Sequence, residues 1–221
     1  MSMIASDNGG QTIEKLENGV YTAVSSAMID LGLQRNEQFG KTQRKFMMIW
    51  NIIGEEIEIN GEKQPRTISK EYSFSLNEKS TLRKDLQAWR GVPFKEEELQ
   101  GYDLTNVLNK ACQLQIILEE KNNKKYNNIA GIMSLPKGMK VEGLDNTYYF
   151  DMTNAETWEN YCKVPNWIQE KIKKAENLES TGFDKYIKEY DEMIKEQQGK
   201  QEENTIRNDT EIIAPDDDLP F

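Results

Sequence analysis

The sequence predicts a mainly β domain with added α-helices, followed by an acidic tail. Residues 18–140 contain five segments with the alternating or continuous apolar patterns of β-strands. One segment with helical periodicity lies between the third and the fourth of them. Beyond residue 140 the apolar residues recur at helical spacing, and the chain ends in the acidic hexapeptide DDDLPF.

The five strand segments occupy residues 19–33, 41–53, 65–76, 111–118 and 125–135. The second one ends in a nearly continuous apolar run, so we expect that end to be buried on both faces of the sheet. The third alternates apolar and polar residues, which is typical of a half-buried strand. A polar turn, EEKNNKK, joins the last two segments as a hairpin.

Residues 77–91 predict an amphipathic helix between the third and fourth strands. Asn77 is the expected N-cap and Gly91 the expected stop, and the buried stripe comprises Leu82, Leu86 and Trp89. Three strands, a helix and a hairpin follow one another in the order of a five-stranded OB-fold barrel, which we predict for residues 18–140. A β-sandwich fits less well, because it needs more strands and no helix at this place.

Three further segments flank the predicted barrel. Residues 1–17 are polar and predict a flexible N-terminus. Residues 141–198 predict a helical extension that Pro165 divides, with an apolar stripe over 183–198. Residues 199–221 lack periodicity and predict a disordered linker that carries the acidic tip.

The net charge of −10 is unevenly distributed along the chain. Residues 34–137 hold 17 Lys and Arg against 14 Asp and Glu, whereas residues 138–221 hold 10 against 20. A mildly basic middle is therefore followed by an acidic tail region. The average charge hides a segment that is electrostatically suited to a polyanion.

Several function classes find no support in the composition. The chain has no histidine and only two cysteines, so we expect no metal site, no cofactor and no enzyme activity. No phosphate-binding or nucleophile motif occurs. There is no apolar run of about 18 residues and no secretory signal, so we expect no membrane partner and a cytoplasmic location.

Two parts of the chain resemble known families. The segments FGKTQRKFMMIW, SKEYSFSLNEKSTLRKDLQAWRG and GYDLTNVLNKACQLQIIL together resemble phage-encoded single-stranded-DNA-binding-like replication proteins, over about residues 19–138. The tip DDDLPF resembles the acidic tip of bacterial single-stranded DNA-binding proteins. The resemblance implies an OB-fold that coats single-stranded DNA and a tail that recruits replication and repair enzymes in a bacterial host cell. The helical stretch at 150–198 departs from the ordinary bacterial protein.

An OB-fold of this kind needs cations for phosphates and aromatic rings for unpaired bases. The candidates are Lys41, Arg44, Lys45, Phe46 and Trp50 on the second strand, Lys70 and Tyr72 on the third, and Lys124, Lys125 and Tyr126 on the last hairpin. The alternation leaves open whether Trp50 and Tyr72 stack on bases or belong to the core. Each cation either contacts a phosphate or is only solvated.

The partner-binding candidates are the six residues of the tip: Asp216, Asp217, Asp218, Leu219, Pro220 and Phe221. Phe221 offers a partner an aromatic ring and a terminal carboxylate, and the aspartates offer charges for a basic rim. The alternative is a purely solubilising tail, which has no need for Leu219 or Phe221.

We therefore expect a non-catalytic protein that coats single-stranded DNA without sequence specificity during phage DNA replication and recombination. Its tip is expected to recruit host or phage replication and repair enzymes. The alternative is a replisome adaptor or a decoy that occupies the tip-binding pocket of host enzymes without coating DNA. The sequence leaves a monomer and a homo-oligomer equally open.

Overall fold

The computed structural model describes residues 14–37, 40–59 and 61–210, with the backbone alone at 59 and 198–210. The strands are β1 Gly19–Asn36, β2 Lys41–Ile59, β3 Glu62–Ser73, β4 Ala111–Lys121, β5 Lys124–Met133 and β6 Tyr148–Phe150. The α-helices are α1 Thr81–Arg90, α2 Glu96–Gln100, α3 Asn166–Ile172, α4 Leu178–Thr181 and α5 Phe183–Thr210. Two 3₁₀ helices, Leu104–Val107 and Ala155–Lys163, complete the described elements.

Strands β1 to β5 form one curled antiparallel sheet in the order β3-β2-β1-β4-β5. Helix α1 lies between β3 and β4 in the chain, so the predicted mainly β, OB-like fold class is confirmed. The sheet is a half-barrel: within the described residues its two end strands, β3 and β5, form no backbone ladder with each other. One side-chain contact spans the gap, because Lys70 Nζ donates to the carbonyl oxygen of Ile129 over 3.3 Å.

The hairpin between β4 and β5 turns on two residues. Asn122 and Asn123 have φ angles of 53° and 58°. Two successive residues with positive φ are typical of the type I′ turn, whose twist matches that of the flanking strands, and asparagine tolerates this conformation. The polar turn that the sequence predicts is therefore present, with Lys121 and Lys124 facing each other beside it.

Helix α1 begins three residues later than predicted, because its N-cap is at position 80 and not at 77. Its N-cap is Ser80, whose Oγ accepts the backbone N–H of Arg83 over 3.2 Å. Asn77 instead accepts the N–H of Lys79 in a local turn, a bond that asparagine side chains readily make outside helices. The end at Gly91 and the buried stripe of Leu82, Leu86 and Trp89 are confirmed.

The sheet separates two hydrophobic clusters. The inner core lies on the concave side, under α1, and includes Phe46, Met48 and Trp50. The outer core lies on the opposite face of β1 and β2, and includes Met47 and Ile49. The apolar run of β2 is thus buried on both faces, as its sequence predicts.

The helical extension supplies the other half of the outer core. Side chains from β6, from the 3₁₀ helix Ala155–Lys163 and from α3 and α5 pack on Ala27, Ile29 and Leu31 of β1; the fully buried ones are Phe150, Tyr161, Ile168, Ile172 and Phe183. Strand β6 also runs parallel to β1 at Ala27–Ile29. Pro165 precedes α3 and separates it from the 3₁₀ helix, as predicted. The extension is therefore a second layer on the barrel.

Both predicted flexible ends differ from the structure in part. Leu16 is buried in the inner core, and its backbone N–H and carbonyl bind the side-chain amide of Asn127 at 2.9 and 2.8 Å, so the predicted flexibility of residues 1–17 is wrong at Leu16. Residues 1–13 lie outside the described part. At the other end, α5 continues to Thr210. Lys, Gln and Glu at 200–203 favour helix intrinsically, which apolar periodicity does not detect. Residues 211–221 lie outside the described part.

Removing one aromatic ring from the outer core tests this layered arrangement. Phe183 has its ring centroid 4.9 Å from that of Phe150 and 5.1 Å from that of Tyr161. We expect Phe183→Ala to lower the free energy of unfolding by about 3–5 kcal/mol, because it leaves a cavity between extension and sheet. Urea unfolding measures this. Met193→Ala, at an exposed position of the same helix, is the control and should change stability by less than about 0.5 kcal/mol.

Candidate nucleic-acid interface

The open side of the half-barrel carries a groove, here called the seam groove. It has a volume of about 620 Å³ and is lined by Lys15, Leu16, Ile57, Arg66, Thr67, Ile68, Ser69, Tyr126, Asn127, Asn128 and Trp167. One wall is β3 and the facing wall is β5, the two strands that end the sheet. Because the sheet does not close there, side chains of both strands are left accessible to a ligand.

The N-terminal segment and α3 complete the walls of the seam groove. Asn127 holds Leu16 by the two hydrogen bonds described above, which places Lys15 at the groove. Arg66 donates to the backbone carbonyl of Glu14 and so fixes the same segment to β3. Trp167 enters from the first turn of α3. The groove therefore draws on the barrel, the N-terminal segment and the extension.

Two aromatic side chains face solvent at the seam groove. Tyr126 is 46% exposed and Trp167 is 52% exposed. An exposed ring offers an unpaired base a stacking surface, and every base has a face that can stack. The exposed position of Tyr126 is consistent with its predicted role in stacking on a base.

The cations at and beside the groove form no ion pair with a carboxylate among the described side chains. Lys15 and Arg66 line it, and Lys124 and Lys125 lie on the adjoining hairpin. Among the described side chains, no Asp or Glu forms an ion pair with any of these four residues. Their charge is available to phosphates at a site that also presents aromatic rings.

Three of the predicted aromatic contacts are wrong as base-stacking residues. Phe46 and Trp50 are 0% exposed and Tyr72 is 4% exposed, all in the inner core. The Tyr72 hydroxyl donates to Asp85 over 2.8 Å, and burial raises the pKa of Tyr72 well above its ordinary value. Rings enclosed by core side chains have no face left for a base. The alternative left open for Trp50 and Tyr72 is thus resolved in favour of the core.

Arg44 is partly exposed and forms ion pairs with two carboxylates. Its guanidinium lies 2.8 Å from Asp30 and 3.0 Å from Asp151, and 4.7 Å from the centre of the Phe74 ring. The Asp30 side chain is only 3% exposed. Burial raises the pKa of Asp30, while hydrogen bonds from Arg44 and from the Gly32 N–H oppose that rise. The contacts of Arg44 make it a structural cation that joins β1, β2 and the extension.

The remaining predicted cations lie in different surroundings. Lys70 pairs with Asp85 at 2.8 Å, and Lys45 pairs with Glu71 at 2.6 Å. Lys41 is exposed at the start of β2 and does not line the seam groove. Of the ten predicted DNA contacts, Tyr126 lines the groove and Lys124 and Lys125 adjoin it on the hairpin, whereas Lys70 spans the same gap between β3 and β5 but is paired with Asp85. The six residues of the predicted tip fall outside the described residues.

Of the eleven residues that line the groove, only Tyr126 was a sequence-based candidate, and three of the others carry a positive charge or an aromatic ring. Lys15 lies in the segment predicted as flexible, Arg66 precedes the alternating part of β3, and Trp167 belongs to the helical extension. Sequence alone gives weak signals for them, because the groove is assembled from segments that are 50 to 150 residues apart in the chain. The one sequence signal is the spacing of Ile168 and Ile172 at i and i+4, which places Trp167 outside that apolar row.

Searches for other types of site and for relatives added no assignment. In residues 14–37, 40–59 and 61–210, no three His, Cys, Asp or Glu side chains are grouped so that they could hold a metal ion. No helix in that part of the chain is long and apolar enough to cross a membrane. The chain matches no family model, and no curated protein matches it.

The structural role of Arg44 predicts a pH-dependent stability defect. Arg44→Met leaves Asp30 buried without its cation, and we expect the free energy of unfolding to fall by roughly 2 kcal/mol at neutral pH. This loss is smaller than for a fully buried ion pair, because Arg44 is partly exposed. A carboxyl with a raised folded-state pKa binds its proton more tightly when folded, so acid favours the folded state. The defect should therefore shrink as the pH falls through the raised pKa of Asp30.

Urea unfolding at stepped pH values measures both effects. Lys41→Met is the control, since it removes an exposed cation from the same strand and should change stability little at any pH. A defect of the same size at every pH would show that Arg44 acts through packing alone.

Proposed function

We propose that the protein binds single-stranded DNA without sequence specificity, and that the strand lies in the seam groove. The observation that carries the proposal is the coincidence of exposed aromatic rings with unpaired cations at the open side of the barrel. In the described structure Tyr126, Arg66 and Lys15 meet there. Stacking surfaces and cations together are what a single strand requires.

Each group at the groove has a role in the proposed complex. Tyr126 stacks on an unpaired base, and Arg66 and Lys15 contact phosphates. Lys124 and Lys125 extend the positive surface along the hairpin. Bases inside a duplex are already stacked and paired, so a groove that gains affinity from stacking favours single strands. Stacking makes no use of base edges, which gives tolerance of sequence.

The proposal assigns the protein no reaction. Its task is to cover single strands during phage DNA replication and recombination in the bacterial cytoplasm. The tip, from Asp216 to Phe221, recruits replication or repair enzymes. Support for the phage setting and for the tip comes from the sequence resemblance, whereas support for DNA binding comes also from the seam groove.

Titration with labelled oligo(dT) tests the DNA-binding part. We expect binding that is much tighter to oligo(dT) than to duplex of the same length, with a log–log salt slope of about −0.7 per phosphate contacted. Tyr126→Ala should weaken it by about 1–3 kcal/mol, or roughly 5- to 150-fold. Tyr149→Ala is the matched control, because Tyr149 is 38% exposed but does not line the groove.

Equal affinity for duplex, or full affinity in Tyr126→Ala, would contradict binding in the seam groove. Failure of the unaltered protein to bind oligo(dT) at all, with tip-dependent enzyme binding intact, would favour the adaptor or decoy alternative.

The tail is tested separately. Deleting 216–221 should abolish binding to a purified bacterial enzyme that recognises such tips, and should leave DNA affinity unchanged or slightly higher. The slight gain is expected because an acidic tail competes with phosphates for nearby cations, an effect screened beyond about 8 Å at physiological salt. Phe221→Ala should abolish enzyme binding. It should leave the competition between the tail and the DNA phosphates unchanged, because the substitution removes no charge. Loss of DNA binding on tail deletion would refute this division of tasks.

A further inference from the structure

Trp167 is an exposed aromatic ring on a firmly anchored helix. The two residues of α3 that face the sheet, Ile168 and Ile172, are 0% exposed in the outer core, whereas Trp167 is 52% exposed. The buried amide of Gln169 donates to the carbonyl oxygens of Tyr161 and Val164 at 3.2 and 2.9 Å. These contacts fix the backbone of α3, so the indole ring is placed at the wall of the seam groove without further ordering of the backbone on binding.

Lys171, which lies beside Trp167, shares the carboxylate of Glu71 with Lys45. Lys171 Nζ lies 6.0 Å from the centre of the Trp167 ring and 2.7 Å from Glu71. Lys45 Nζ lies 2.6 Å from the other oxygen of Glu71. Burial alone would raise the pKa of Glu71, but hydrogen bonds from Lys171 and Lys45 lower it below its ordinary value, so this carboxyl is ionised at neutral pH. Lys171, Lys45 and Glu71 together therefore carry one net positive charge.

We propose that α3 of the helical extension is part of the DNA-binding surface, with Trp167 as a base-stacking platform and Lys171 as a phosphate contact. The proposal rests on the proposed function and adds a second platform to Tyr126. The strand then leaves the barrel and continues over the outer face of β2 and β3, where Glu71 holds Lys171 and Lys45. A barrel without the extension lacks this part of the site.

Fluorescence makes Trp167 directly observable, because the chain has four tryptophans in distinct surroundings. Trp50 and Trp89 are buried, and Trp158 packs against Phe183 and Tyr186. We expect oligo(dT) to quench the emission of the unaltered protein. Trp167→Phe should abolish most of the quenching, and Trp158→Phe, the matched control, should preserve it.

Affinity provides the second measurement. Trp167→Ala should weaken oligo(dT) binding about tenfold or more, and Trp167→Phe, which keeps an aromatic face, should weaken it less. Lys171→Gln should make the log–log salt slope less negative by about 0.7, the value for one phosphate. Lys185→Gln, at an exposed lysine of α5, should leave the slope unchanged. Circular dichroism checks that the variants are folded.

The outcomes separate this inference from the proposed function. Quenching that persists in Trp167→Phe, or full affinity in Trp167→Ala, would overturn the role of α3, while an affinity loss in Tyr126→Ala would still support DNA binding in the seam groove. If the unaltered protein does not bind oligo(dT), the proposed function fails and this inference fails with it.

Discussion

The burial of strand β2 on both faces is the constraint on which the rest of the structure depends. Phe46, Met48 and Trp50 point into the inner core, and Met47 and Ile49 point into the outer core. A strand of this kind needs an apolar layer on each side, because leaving either face in water would forfeit about 25 cal/mol for each Å² of apolar surface. The barrel and α1 supply one layer and the helical extension supplies the other.

This constraint determines where a ligand can bind. The extension covers the outer face of β1 and β2 over the apolar run, and the inner face is filled by side chains. The accessible surface of the sheet includes its two end strands, because β3 and β5 do not pair within the described residues. The seam groove is therefore a consequence of how the two cores are built. It explains why strand aromatics in the apolar run serve packing, while Tyr126 and Trp167 remain exposed.

The order of elements could be predicted from sequence because each segment carries a local pattern. A short stretch of sequence is enough to identify each of these features: the apolar run of β2, the helical stripe from Leu82 to Trp89 and the break at Pro165. The N-cap was misplaced because Asn77 and Ser80 have similar capping preferences, and only the structure shows which side chain meets the helix N–H groups.

The candidate site was only partly predictable, because it depends on contacts between distant segments. Alternation along β2 divides Phe46 from Met47 but cannot show that both faces are covered by protein. Nothing near Arg44 in the sequence indicates that Asp151 is its partner. Several of the cations predicted from charge alone form ion pairs with carboxylates in the folded protein. Such ion pairs cannot be predicted from the residues next to each cation in the chain.

The extension has two roles that depend on the same contacts. Ile168 and Ile172 pack in the outer core and so fix the orientation of α3. The orientation of α3 in turn determines the position of Trp167. Binding a base with a ring on a flexible loop would also have to order the backbone of the loop, whereas the backbone that carries Trp167 is already fixed by the packing of α3. The packing that stabilises β2 therefore also prepares the proposed stacking surface, so stability and affinity should be coupled through α3 and not through the hairpin that carries Tyr126.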